Sequence, residues 1–133
     1  MDFFLTISDE SRVIDLASED ITIVAGTKHS YPLTVEREDC MLQWEFVTNG
    51  YDIKFGVAKM IQENTKEELE FILPMNTYAP NQFHKGEVVL NTSGQYVLLW
   101  DNSNSWLREK TIHYHIQITR GRATRDSLMG YSK

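Results

Sequence analysis

The sequence predicts an all-β fold: a single-domain antiparallel β-sandwich of jelly-roll type with about eight strands. The first sign is an apolar residue at every second position. Leu42, Trp44 and Phe46 alternate with Gln43, Glu45 and Val47, and Ile53, Phe55 and Val57 alternate with Lys54 and Gly56, which is the period of strands buried on one face. The second is the regular punctuation of such runs by Gly, Pro, Asn and Ser, as at Gly26, Asn49-Gly50, Pro80 and Gly94, residues that favour turns. The third is the lack of a helical apolar stripe anywhere in the 133 residues. A chain of this length fits one domain and buries roughly two-thirds of its unfolded surface.

In chain order, residues 1–20 hold two apolar patches, Phe3 to Ile7 and Val13 to Leu16, on either side of Ser8-Asp9-Glu10-Ser11. They read as an acidic segment with an extra edge hairpin, or as an acidic arm. The sandwich proper is expected over residues 21–119. Ile21 to Val24 makes a strand, Gly26 a turn, and Tyr31 to Val35 a strand whose Pro32 marks an edge position or a strand start. Met41 to Thr48 and Tyr51 to Val57 follow as strand, turn and strand, continuing to Ile61. Gln62 to Glu70 reads as a helical turn or, since its flanks are strands and it lacks a helical apolar stripe, rather as a polar hairpin loop leading into Leu69 to Leu73. Met75 to Asn81, with Pro74 and Pro80 around Asn76 to Ala79, reads as a surface loop. Gly86 to Leu90, Gly94 to Trp100 and Thr111 to Thr119 supply three more strands, and residues 120–133 form a basic tail.

Composition narrows the function. The formal net charge is −6, with +3 carried by residues 120–133 and −9 by the remainder. Such a body repels polyanions, so no nucleic-acid partner is expected. Cys40 is the single cysteine, which rules out an internal disulfide and fits a reducing compartment. The N-terminal residues have no basic leader followed by a long apolar core, and no apolar run reaches the roughly 18 residues of a membrane span. The expected location is cytoplasmic.

The two most ordered blocks also carry a family resemblance. Trp44-Glu45-Phe46 followed by Tyr51-Asp52-Ile53-Lys54-Phe55-Gly56, and then Gly94, Tyr96 and Leu98 followed by Trp100-Asp101-Asn102-Ser103, Lys110 and Tyr114, resemble the signature of the GOLD (Golgi dynamics) domain. The resemblance covers roughly Ile21 to Thr119 and implies a β-sandwich. Members include the luminal heads of transmembrane cargo receptors and cytosolic modules of CRAL-TRIO lipid-transfer and Golgi adaptor proteins. This chain looks more like the cytosolic modules, because it lacks the signal peptide, paired cysteines and membrane span of the receptors. The resemblance therefore implies a non-enzymatic protein-interaction module linked to membrane trafficking, placed peripherally on Golgi or endosomal membranes. The alternative is a lipid- or carbohydrate-binding sandwich, or an accessory domain of a lipid-transfer protein. One fold hosts many functions.

Candidate residues follow from their surroundings. Trp44, Phe46, Tyr51, Ile53, Phe55, Tyr96, Leu98 and Trp100 alternate along neighbouring strands, and their inward members are expected to form the core. Trp106 follows Asp-Asn-Ser-Asn-Ser, a run that favours turns. It reads either as an exposed contact residue, with Asn104 and Arg108 beside it, or as a cap folded back on the sandwich. Arg120, Arg122 and Arg125 form an auxiliary basic patch, suited to weak peripheral contact with an anionic membrane. Phosphorylation of Thr124 or Ser127 would weaken that contact.

His113 and His115 share one strand face at a spacing that can chelate a metal, but the usual further ligands are missing nearby. Glu38 and Asp39 beside Cys40 raise rather than lower a thiol pKa, and no Gly-x-Ser-x-Gly or glycine-rich phosphate loop occurs. No enzyme, cofactor or metal is expected. The expected partner is a protein, and exposed edge strands leave a homodimer open.

Overall fold

The computed structural model describes residues 12–36, 39–63 and 66–120. Eight strands occupy these residues: β1 (Arg12–Ile23), β2 (Lys28–Val35), β3 (Cys40–Asn49), β4 (Ile53–Glu63), β5 (Lys66–Tyr78), β6 (His84–Leu90), β7 (Gly94–Asp101) and β8 (Lys110–Arg120). They form two four-stranded antiparallel sheets ordered β1-β8-β3-β6 and β2-β7-β4-β5. Every connection except β4–β5 crosses from one sheet to the other, which is the jelly-roll arrangement expected from the sequence.

The core is built from the alternation. On β3, Leu42, Trp44, Phe46 and Thr48 point inward and are buried, as are Ile112, Tyr114, Ile116 and Ile118 on β8. The facing sheet supplies Ile53, Phe55, Val57, Tyr96, Leu98 and Trp100. The Trp100 ring stacks on Tyr114 at 4.6 Å and meets Phe46 edge-on at 5.9 Å, joining the two sheets. Such pairs add roughly 0.5–1.5 kcal/mol each beyond area burial. Tyr51 alone of the expected core aromatics lies outside, 40% exposed, because β4 begins two residues after it.

Several boundaries differ from the sequence reading, each for a local reason. β1 runs unbroken across the boundary expected at residue 21, with a bulge between Asp15 and Ala17. The bulge switches the inward positions from even to odd numbers, so one strand mimics two short ones. The first arm of the expected N-terminal hairpin, residues 1–11, lies outside the described residues. Asn49-Gly50 separates two strands as expected, and these belong to different sheets. The charged stretch Lys66 to Glu70 is strand rather than loop, paired with Ile61, Gln62 and their neighbours on β4.

β5 also extends through Pro74 to Tyr78, where a loop is expected. It is an edge strand, and the register with β4 skips between Phe55 and Val57, so the missing proline N–H breaks no regular ladder bond. Pro32 on β2 is at an edge, as its position suggests. Gly56 is required where Met75 crosses, since a Cβ there would come within 3.0 Å of the Leu73 carbonyl.

Candidate interaction surface at the loop end

The antiparallel order gathers four connections at one end of the sandwich: residues 24–27, 50–52, 79–83 and 102–109. Asn102 ties the first and the last of them together. Its buried side-chain amide donates to the carbonyls of Ile23 at 3.1 Å, Val24 at 3.4 Å and Arg108 at 2.9 Å. Its backbone N–H donates to Thr27, and its carbonyl accepts from Gly26 and Ser105. The Ser105 hydroxyl donates to the Arg108 carbonyl and accepts the Arg108 N–H, both at 3.2 Å. Across the cleft, Asn81 holds the 50–52 loop by accepting the Gly50 N–H at 2.9 Å.

The charges of this end are largely engaged. Lys110 is 8% exposed; its ammonium donates to the Asp52 carbonyl at 2.7 Å and sits 3.7 Å from the Asp52 carboxylate. Burial pushes the Asp101 carboxyl up, but the Ser103 hydrogen bonds and the nearby Lys28 and Lys54 outweigh it and hold the group below its ordinary value. Arg108 lies over the Tyr51 ring, 4.8 Å from its centroid, and donates to the Tyr51 hydroxyl at 2.8 Å. Tyr51, Asp52, Asp101, Arg108 and Lys110 line a cleft of about 570 Å³ together with Lys54.

With the loop backbone tied down, the tip projects. Trp106 is 88% exposed and Leu107 89%, so Trp106 does not fold back as a cap. Val24, Tyr51 and Phe83 are exposed on the other three loops. Each of the four loops thus presents a large apolar side chain at the same end.

The predicted contact residues do not form one patch. Asn104, Trp106 and Arg108 share the loop end. Arg120 ends β8 opposite Arg12, a full strand length away, roughly 33 Å at strand rise, and does not extend the Trp106 surface. Arg122 and Arg125, with Thr124 and Ser127, lie outside the described residues. The sequence reading missed Leu107, Val24 and Phe83. The signal was available for Leu107, since a Trp-Leu pair inside a run of turn-forming residues has no core to enter.

No protein-family model matches the chain. It is 25% identical over 116 residues to FYVE and coiled-coil domain-containing protein 1 of Homo sapiens, a match covering 84% of this chain and 8% of that protein. It is 30% identical over 119 residues to Protein ctg-1 of Caenorhabditis elegans, covering 83% of this chain and 31% of that protein. The chain thus spans less than a third of the length of either relative. Among solved structures, the CBM36-1 domain of a multidomain xylanase from the hindgut metagenome of Trinervitermes trinervoides aligns over 81% of this chain and 95% of that one, with a TM-score of 0.45 and 8% identity. Tobacco streak virus coat protein aligns over 86% and 88%, with a TM-score of 0.49 and 12% identity. At these values the likeness extends to no functional property.

Away from the loop end, the outer face of the β1-β8-β3-β6 sheet is polar. His113 pairs with Asp20 at 2.8 Å and His115 with Asp15 at 3.0 Å. The two imidazoles therefore face separate carboxylates on β1, and among the described residues no three His, Cys, Asp or Glu side chains converge as a metal-holding group. Gln43 reaches Glu87, Gln117 and Thr119, beside a shallow cleft of about 460 Å³.

Both open sides of the sandwich hold mixed clusters. Between β1 and β2, the Tyr114 hydroxyl donates to Glu19 at 3.1 Å and lies 3.2 Å from His29 Nε2. Burial, the Glu19 hydrogen bond and its charge push Tyr114 up to about 12. Burial lowers His29 despite the opposing pull of Glu19. Between β5 and β6, Trp44, Ile72, Leu73, Tyr78 and Val88 line a groove of about 280 Å³.

Proposed function

We propose that the chain is a non-enzymatic interaction module of the GOLD type that holds its parent protein at intracellular trafficking membranes. One observation carries the reading. Trp106 and Leu107 stand almost fully exposed at the tip of a loop whose base is fixed by a buried amide. Two adjacent large apolar side chains in water are unfavourable unless something covers them, and an exposed tryptophan beside an arginine is a frequent binding anchor.

The ordered Trp44-Glu45-Phe46 and Trp100-Asp101-Asn102-Ser103 blocks support the family assignment, because their residues occupy structural positions. Trp44, Phe46 and Trp100 are core, and Asn102 is the loop brace. The non-enzymatic half rests on the engagement of the polar clusters. The cluster in which Tyr114 and His29 meet Glu19 is hydrogen-bonded within itself and has no aligned nucleophile.

The test is cellular. The chain fused to a fluorescent protein is expected to concentrate on internal membranes, and Trp106→Ala with Arg108→Ala is expected to leave it diffuse. A folded wild-type fusion that is diffuse throughout the cell overturns the reading. A second reading, binding of a small apolar ligand, is favoured by the groove between β5 and β6. Lipid or sterol retained through purification, and lost on Val88→Trp, would establish it.

A further inference from the structure

We infer that the loop end docks directly on the surface of an anionic phospholipid bilayer, with Trp106 and Leu107 entering the interface. The inference rests on the reading above and names the occupant of the same surface. Shape is the first argument. The exposed apolar residues Val24, Tyr51, Phe83, Trp106 and Leu107 stand on four separate connections at one end of the sandwich, with Trp106 and Leu107 at 88% and 89% exposure. A protein partner is usually met by a continuous patch in which contacts pack around a pocket. Isolated convex tips beside a polar cleft instead match a fluid interface that closes around each side chain.

Residue type is the second argument. Trp and Tyr favour the headgroup level, where the ring is buried and its polar edge stays wet, and Leu favours the acyl boundary just below. Arg108 sits directly behind the tip on the Tyr51 ring, at the depth where a guanidinium meets lipid phosphates.

Charge is the third. Counted with the strand residues that flank them, the four connections (residues 24–28, 50–54, 77–84 and 101–110) carry four cations, Lys28, Lys54, Arg108 and Lys110, against three anions, Asp52, Asp101 and Glu109. The remaining described residues carry five cations against eleven anions. The loop end is therefore +1 and the remaining described residues together −6. An anionic surface repels that remainder taken as a whole but not the loop end, so charge and insertion favour the same pose. With charge nearly balanced at the loop end itself, apolar insertion supplies most of the attraction, and binding by a single copy is reversible and modest.

The protein carries its own probe. Trp44 and Trp100 are 7% and 0% exposed, so a change of tryptophan emission on mixing with lipid reports Trp106. The purified full chain is mixed with phosphatidylcholine vesicles containing roughly one quarter phosphatidylserine, composition chosen for its surface potential. A blue shift of the emission is expected, with quenching by brominated acyl chains and co-sedimentation. Leu107→Asp retains the probe and is expected to lose the shift, with co-sedimentation falling about tenfold. Trp106→Ala is expected to sediment as poorly. Circular dichroism and urea midpoints identical to wild type establish that both variants fold.

Three results overturn the inference: no shift and no sedimentation of the folded wild type at millimolar lipid, binding unchanged in Leu107→Asp, or binding abolished only by Arg122→Gln with Arg125→Gln. Cellular recruitment that depends on Trp106 without vesicle binding would assign the tip to a protein partner and leave the broader reading standing.

Discussion

The side-chain amide of Asn102 lies 2.9 Å from the carbonyl of Arg108, so a fully buried polar residue closes the base of the most exposed loop in the described structure. The same amide meets the carbonyls of Ile23 and Val24 at the end of β1. The tip is therefore presented by a fixed base, and its exposure belongs to the folded state.

Asn102→Ala leaves three carbonyls without their donor and opens a small void. A loss of about 2–4 kcal/mol is expected, given the cost of buried unpaired groups. Urea unfolding followed by far-UV circular dichroism measures it. Asn102→Asp should cost more, because a buried carboxylate would face three carbonyl oxygens.

Gly86 sits opposite Trp44 on the neighbouring strand, and the Trp44 ring occupies the space that a side chain would take. A Cβ at Gly86 would lie 2.6 Å from Trp44 Cε2. Gly86→Ala is therefore expected to cost about 1–3 kcal/mol through overpacking and to red-shift the Trp44 emission as the ring is pushed towards solvent. Unchanged stability and emission would contradict the described packing.

The Tyr114, His29 and Glu19 cluster predicts two limits on pH stability. Tyr114 ionises at about 12 in the folded chain against 10.0 when free. Its contribution is complete below pH 10, where both states are neutral, and is lost as pH rises towards 12, because the unfolded chain ionises first. His29 is lowered from 6.5. Its contribution is present above pH 6.5 and is lost as pH falls below it, because the unfolded chain takes up the proton first. Urea midpoints across pH should decline at both limits, with Tyr114→Phe flattening the alkaline decline and His29→Gln the acid one.

Trp106→Ala is expected to leave stability within about 0.5 kcal/mol of wild type, since the ring has few neighbours to lose. Trp100→Ala, which removes the ring stacked on Tyr114 and tilted against Phe55, should cost about 3–5 kcal/mol. Parallel thermal melts of the two variants separate a display residue from a core residue of the same type.

The sequence made the sandwich legible because alternation on β3, β4, β7 and β8 is strong and their inward residues are large. It was less legible where geometry breaks the period. The bulge after Asp15 hid the continuity of β1, and Pro74 hid the second half of β5, since only the sheet order reveals that the proline lies on an edge. Within the candidate site, Trp106 and Arg108 could be picked out by type and neighbourhood. Val24 and Phe83 could not, because their placement at the same end as Trp106 depends on four sheet-crossing connections. Asn102 was visible as part of a motif, but its role as a brace needs three carbonyls from two distant segments.

The pairing of Arg12 with Arg120 places the entry and exit of the sandwich side by side on adjacent antiparallel strands. A force applied through these two points would open the β1–β8 ladder one rung at a time, like a zipper, rather than load all its hydrogen bonds together in shear. Peeling β1 away would part Glu19 from the Tyr114 hydroxyl before disturbing the stack of Tyr114 on Trp100. Under tension from a parent polypeptide, the domain would yield first at its pole opposite Trp106, leaving the loop brace at Asn102 among the last contacts to part.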